Sequence, residues 1–234
     1  MTFLELAKFL RQECEIPGTG PSTVTGQTGQ LKRIVDWTAV AWKDIQNLHT
    51  NWRWMRRAFT FNTVADDDSY PYTAVTDVDA AAVISRFGHW WAHDCEDPYL
   101  AYLQSGGVGG QYPLIYLPWN DFKWLYRRGT QTASTPAYVS VDHQNNLCLG
   151  PKPNGVYVVT GDYQRSAQTL TVDADLPEMP TQYQELIGYF GMQKYGANSV
   201  AAEVFTRAQL EAARLLSALR DDQLPRMRLG EPLI

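Results

Sequence analysis

The hydrophobic period of this chain changes twice, and that alone restricts the folds open to it. Phe3, Leu6, Ala7 and Leu10 recur at helical spacing behind a Thr2-x-x-Glu5 capping box, so a first helix is expected to run to about Cys14. From Gln30, a second stripe contains Leu31, Ile34, Val35, Thr38, Ala41, Trp42, Ile45 and Leu48, opposite Lys32, Arg33, Lys43 and Asp44. After "HTNWRWMRR" the period drops to two. "AFTFNTV", "YPLIYL", "AYVSVD", "NLCLG", "GVYVVTGDYQR" and "TLTV" read as strands, joined by turns such as "GPKPNG". "PWNDFKWLYRRG" reads as a short helix started by Pro118 and stopped by Gly129. Helical spacing returns at "MPTQYQELIGYFGMQKYG", where Thr181 and Gln184 repeat the capping-box pattern and Gly196 is the expected stop. A last helix follows from about Ser199 to Arg220.

The expected fold class is α+β. Its N- and C-terminal helix pairs, residues 1–57 and 178–220, form a helical bundle. Residues 58–177 are an inserted β-rich region, expected to be an antiparallel meander because parallel neighbours need helical crossovers. Residues 221–234 carry Pro225, Gly230 and Pro232 and no period, and are expected to be an extended C-terminal tail.

The most chemical-looking stretch is "GHWWAHDCED", residues 88–97, with His89 and His93 four apart and Asp94, Cys95, Glu96 and Asp97 behind them. That spacing suits two metal ligands on one helical face. Gly88, two adjacent tryptophans and Pro98 oppose a regular helix, and no second cluster supplies further ligands. The segment therefore reads as packing, with no metal and no cofactor expected. Cys148 lies five residues after His143, but in a strand of a meander it reads as an apolar core residue. "GQTGQLKR" fails the phosphate-loop pattern, because Gln30 follows Gly29 where Lys and Ser/Thr are required. "SGGVGGQ" lacks the helix and the acidic partner of a dinucleotide turn.

A formal net charge of −5 argues against a general nucleic-acid coat. Three basic clusters stand out against it: Arg53, Arg56 and Arg57; Arg127 and Arg128; Arg226 and Arg228. Beside aromatics they suit an interface with acidic protein surfaces. Eight tryptophans and thirteen tyrosines supply large contact areas for such interfaces. Three widely spaced cysteines form no disulfide framework and point to a reducing compartment. Neither a signal peptide nor a membrane-spanning run is expected.

"NWRWMRRAFTF", "LCLGPKPNGVYVVTGDYQR", "DLPEMPTQYQELIGYFGMQKYG" and "DDQLP" occur in the order found in head-to-tail adaptor proteins of tailed bacteriophages, and the chain resembles that family over nearly its whole length. The resemblance implies a structural virion protein with no enzymatic activity. It implies a ring under the portal protein, twelve copies to match the portal, and a next neck or tail protein below. Genomic DNA would pass through a central channel without specific binding, and assembly would occur in the host cytoplasm. In that family the C-terminal segment often reaches the portal. Here the portal- or partner-binding residues are expected to be Leu224, Pro225, Arg226, Met227, Arg228, Leu229, Leu233 and Ile234. The turn Asp66, Asp67 and Asp68, read as solvated, is the candidate channel-facing wall. Two other classes stay open on the sequence: a metal-dependent hydrolase using His89, His93 and Asp94, and a nucleic-acid-binding protein using the basic clusters.

Overall fold

A computed structural model describes residues 1–91, 101–105 and 110–224. The chain divides into two compact units, Met1–Trp54 with Ala167–Ile234, and Met55–Ser166.

The first unit holds four helices: α1 (Phe3–Glu13), α2 (Gly29–Asn47), α4 (Glu185–Ser199) and α5 (Ala202–Gln223). The α1 capping box forms as the sequence predicts, with Glu5 N donating to Thr2 Oγ1 at 3.2 Å and Thr2 N to Glu5 Oε2 at 2.8 Å. Phe3, Leu6, Ala7 and Leu10 are buried. On α2, Ile34, Val35, Thr38, Ala41, Trp42 and Ile45 are buried, joined by Gln46, while Leu48 is exposed. Helix α4 packs against α1, α2 and α5, and its glycines set the spacing. A Cβ at Gly188 would lie 2.4 Å from the Phe9 ring, and one at Gly191 would lie 2.7 Å from Leu10. At Gly196 it would lie 2.9 Å from Phe205 Cβ and 3.0 Å from Phe205 backbone, which cannot swing aside.

Gly196 is therefore a packing residue and not the helix stop. The helix ends at Ser199, capped by Val200 in the left-handed region (φ 54, ψ 30), with Ala201 N donating to Gly196 O at 3.0 Å. Glycine normally fills that capping position, because a β-branched side chain there crowds the backbone. Val200 is 89% exposed, so no described packing contact compensates for the strain. Val200→Gly is expected to raise stability by about 1 kcal/mol. An unchanged urea midpoint would show that the conformation carries no strain.

Local chemistry also overrides the sequence reading at two other places. Thr181–Tyr183 is a 3₁₀ turn, and Gln184 is buried with its amide directed at the Pro177 carbonyl (3.4 Å), so the second capping box does not form. "TLTV" is not a strand, because Thr171 N (2.5 Å) and Val172 N (2.8 Å) donate to the Asp175 carboxylate. Those two amides hold the Asp175 carboxyl below its ordinary range.

The second unit is a sheet. Its strands are β1 (Arg56–Asn62), β2 (Ser69–Tyr70), β3 (Thr76–Asp77), β4 (Ala82–Val83), β5 (His89–Trp90), β6 (Ala101–Gln104), β7 (Gln111–Tyr116), β8 (Tyr138–Val141), β9 (Leu147–Gly150) and β10 (Val158–Gln164). The order is β2-β9-β8-β7-β6-β10-β1-β3-β4, with β5 also on β10. The longest pair, β1 and β10, is antiparallel from Arg56 opposite Gln164 to Asn62 opposite Val158. Phe59 and Phe61 share the buried face of β1 and join Trp90, Leu103, Leu114, Val139, Val159 and Tyr163 in one core.

The expected bundle with an inserted antiparallel β region is overturned by this sheet. Among the described residues there are five α-helices and a mixed, ten-stranded half-barrel, not an antiparallel meander inserted into a bundle. The pair β7–β8 is parallel. Residues 117–137 supply its crossover and contain α3 (Trp119–Tyr126), the short helix that the Pro118 and Gly129 signals predict. A helix between consecutive strands is what permits parallel pairing. The C-terminal boundary also moves. Asp221, Asp222 and Gln223, expected in the extended tail, form the last residues of α5.

Candidate interaction surfaces

The acidic turn follows β1. Asp66 sits in the left-handed region (φ 65) and its N–H donates to Pro153 O at 2.8 Å, which ties the turn to the "GPKPNG" loop. Tyr70 hydroxyl donates to Asp67 O at 2.6 Å and accepts from Val64 N at 3.1 Å. Burial pushes that phenol up to about 12. Asp66 and Asp67 are exposed. Asp68 is not part of a solvated turn: it is only 8% exposed, and its Oδ1 lies 3.4 Å from Arg127 Nη1. Arg127 caps the C-terminus of α3, and its Nη2 also donates to Cys148 Sγ at 3.5 Å. Burial raises the Cys148 thiol above its ordinary value despite that guanidinium. Cys148 is a core residue, as its strand position predicts, and exposed His143 is not among its hydrogen-bond partners. Arg127→Ala would strand the buried Asp68 carboxylate, so a loss of about 1–3 kcal/mol is expected, with a smaller one for Asp68→Asn. Equal urea midpoints for wild type and Arg127→Ala would show that the pair contributes nothing.

The first basic cluster is largely consumed within the fold. Arg56 lies over the Trp91 ring at 3.7 Å, and Arg57 Nη1 donates to Asp79 Oδ2 at 2.8 Å. Arg53 is exposed in a 3₁₀ turn (Arg53–Met55). Arg128 is exposed and has no ion-pair partner among the described residues. Arg226 and Arg228 lie outside the described residues. Within the two clusters that are described, Arg56, Arg57 and Arg127 each face a partner inside the fold, so they form no line of cations.

Of the Trp-rich segment, His89 and Trp90 form β5, with His89 opposite Gln164 and Tyr163 opposite Trp90. Trp90 is a core residue and its Nε1 donates to Asn145 O at 2.8 Å. His89 is half-buried, and that burial lowers its pKa. His93 and Asp94 lie outside the described residues. His49 is engaged elsewhere, accepting from Arg220 Nε at 3.0 Å and standing edge-on to Trp52. Among the described residues, no three His, Cys, Asp or Glu side chains converge as a metal-binding group.

Of the expected partner-binding tail, Leu224 is the extended residue that caps α5. Pro225, Arg226, Met227, Arg228, Leu229, Leu233 and Ile234 lie outside the described residues.

The sequence reading missed two exposed apolar surfaces. On α3, Phe122 is buried and flanked by partly buried Trp119 and Tyr126, while Trp124 is 64% exposed and Leu125 is also exposed. On α5, Leu210 is 68% exposed at a groove on the helix's first half. The signal was present: Asp121, Trp124, Leu125 and Arg128 keep i, i+3, i+4, i+7 spacing off the buried stripe.

No described helix is long and apolar enough to cross a membrane. Compared with known proteins, the chain matches the family described as SU10 adaptor protein over residues 1–231. No curated protein matches it.

Proposed function

Because this chain belongs to the SU10 adaptor protein family, a family of structural phage proteins that meet head and tail components of the virion, we propose that it closes into a ring beneath the portal protein. The observation that carries this reading is the match to the family over residues 1–231, which spans both compact units. Twelve copies would follow a twelve-fold portal, a further neck or tail protein would dock below, and the ring would assemble in the host cytoplasm. Two different surfaces meeting head to tail close into a ring when the rotation between copies closes.

DNA would pass through the centre. Asp66 and Asp67 are the carboxylates proposed to face it, since both are exposed; Asp68 is committed to Arg127. Carboxylates repel phosphate and keep DNA from lodging. The C-terminal segment, from Leu224 through Pro225, Arg226, Met227, Arg228, Leu229, Leu233 and Ile234, would hold the portal with apolar anchors and two guanidinium groups. The test is co-purification with the portal protein of the same phage, with the ratio read from native mass. A complex with several adaptor copies per portal ring is expected. An adaptor that elutes alone from both portal and tail proteins would remove the reading.

A further inference from the structure

Two surface features of the fold complement each other chemically. Helix α3 keeps Phe122 as its one buried residue and turns Trp124 and Leu125 outward. Lys123 and Arg128 flank that stripe, and neither has an ion-pair partner among the described residues. Asp121, in the first turn, is the one acid on the helix. On α5, Ala202, Thr206 and Leu210 line a groove of about 500 Å³ together with Glu203, Arg207 and Glu211. Arg207 is turned to Glu13, with Nη2 3.8 Å from its Oε2, and Glu211 accepts from Arg214 at 2.8 Å. Glu203 has no ion-pair partner among the described residues. One surface is thus an exposed aromatic ridge with unpaired cations. The other is an exposed apolar groove with an unpaired carboxylate.

We propose that the α3 ridge of one copy seats in the α5 groove of a second copy, with Trp124 against Leu210 and Arg128 facing Glu203. The contact rests on the ring reading and names the surfaces that build it. Each surface is used once per copy and differs from the other, which makes the contact heterologous and able to propagate around a ring. Tryptophan and arginine are the residue types that most often dominate interface energetics, and an exposed Trp beside unpaired cations matches that composition. Burying Trp124 against Leu210 removes two of the more exposed large apolar side chains from water. The occupant is a second copy because both halves of the complementarity, apolar and ionic, lie on this one chain.

The experiment uses the full chain with its portal protein and measures the concentration at which half of it enters rings. Trp124→Ala is expected to raise that concentration at least about tenfold while the monomer keeps its wild-type circular dichroism, since the side chain is exposed. Arg128→Glu and Glu203→Arg are each expected to weaken assembly, and the two together are expected to restore it to near the wild-type value. Wild-type assembly by Trp124→Ala, or a double charge swap no better than either single change, would overturn the contact while leaving the ring intact. Normal rings in Trp124→Ala that no longer hold the portal or a tail protein would overturn it too, and would assign the ridge to that protein. Wild-type protein that stays monomeric with portal would instead remove the ring reading, and the contact with it.

Discussion

Deleting the residues after Leu224 is expected to leave the protein folded and to abolish stable attachment to the portal. The last buried residue of α5 is Leu219, so the truncation strips no described core contact. What it removes is Met227, Leu229, Leu233 and Ile234, interleaved with Arg226 and Arg228. A fully buried Leu or Met contributes about 1.5–3 kcal/mol, so two such anchors correspond to roughly 10²–10⁴-fold in affinity before ordering costs. Pro225 and Pro232 would lower those costs, because a proline ring fixes its own φ before any partner binds. A ring would repeat the contact and multiply the loss. The melt of the truncated protein and its binding to immobilised portal decide the matter. Unchanged affinity would make the tail a passive end and move the contact to the folded units.

Trp42→Ala is expected to carry the largest stability cost of any single change considered, about 3–5 kcal/mol. Trp42 is fully buried on α2, and its Nε1 donates to Gln168 Oε1 at 3.2 Å. Gln46, one turn on, donates to Gln168 O at 3.0 Å and accepts from Gln168 N at 2.6 Å. Gln168 Nε2 in turn donates to Leu176 O at 3.0 Å. The indole thus fills core volume and completes a polar network that pins residues 168–178 to α2. Truncation opens a cavity and removes a donor together. Trp42→Phe keeps much of the volume and should lose about 1–2 kcal/mol. The loss is a large share of the roughly 5–15 kcal/mol that holds a folded protein together. Urea titration reads both changes; a Trp42→Ala midpoint within error of wild type would contradict this account of the core.

The amphipathic helices were legible because their signal is local. Phe3, Leu6 and Leu10 on α1 and Ile34, Ala41, Trp42 and Ile45 on α2 are where period and burial agree. Gln46 is buried on the same face, yet a glutamine carries no such signal; its burial depends on Gln168, far away in sequence. Gly196 looks like a stop by local rules, but Phe205 from the next helix determines its role. The parallel pair β7–β8 was within reach, since the helix at Trp119–Tyr126 was readable and sits where a crossover belongs. The acidic turn shows the limit most clearly. Three consecutive aspartates look alike in sequence, and only Arg127, on a different element, separates Asp68 from Asp66 and Asp67. Trp124 was hidden for the opposite reason: an aromatic on a short helix is ordinarily assigned to the core.

The central claim, that this adaptor is a ring at the head-to-tail junction, is tested most directly by imaging the neck of intact virions. The account predicts a closed ring of this chain stacked against the portal, with Trp124 of each copy beside Leu210 of the next. Density for a single copy, or for a protein placed away from the portal, would contradict it.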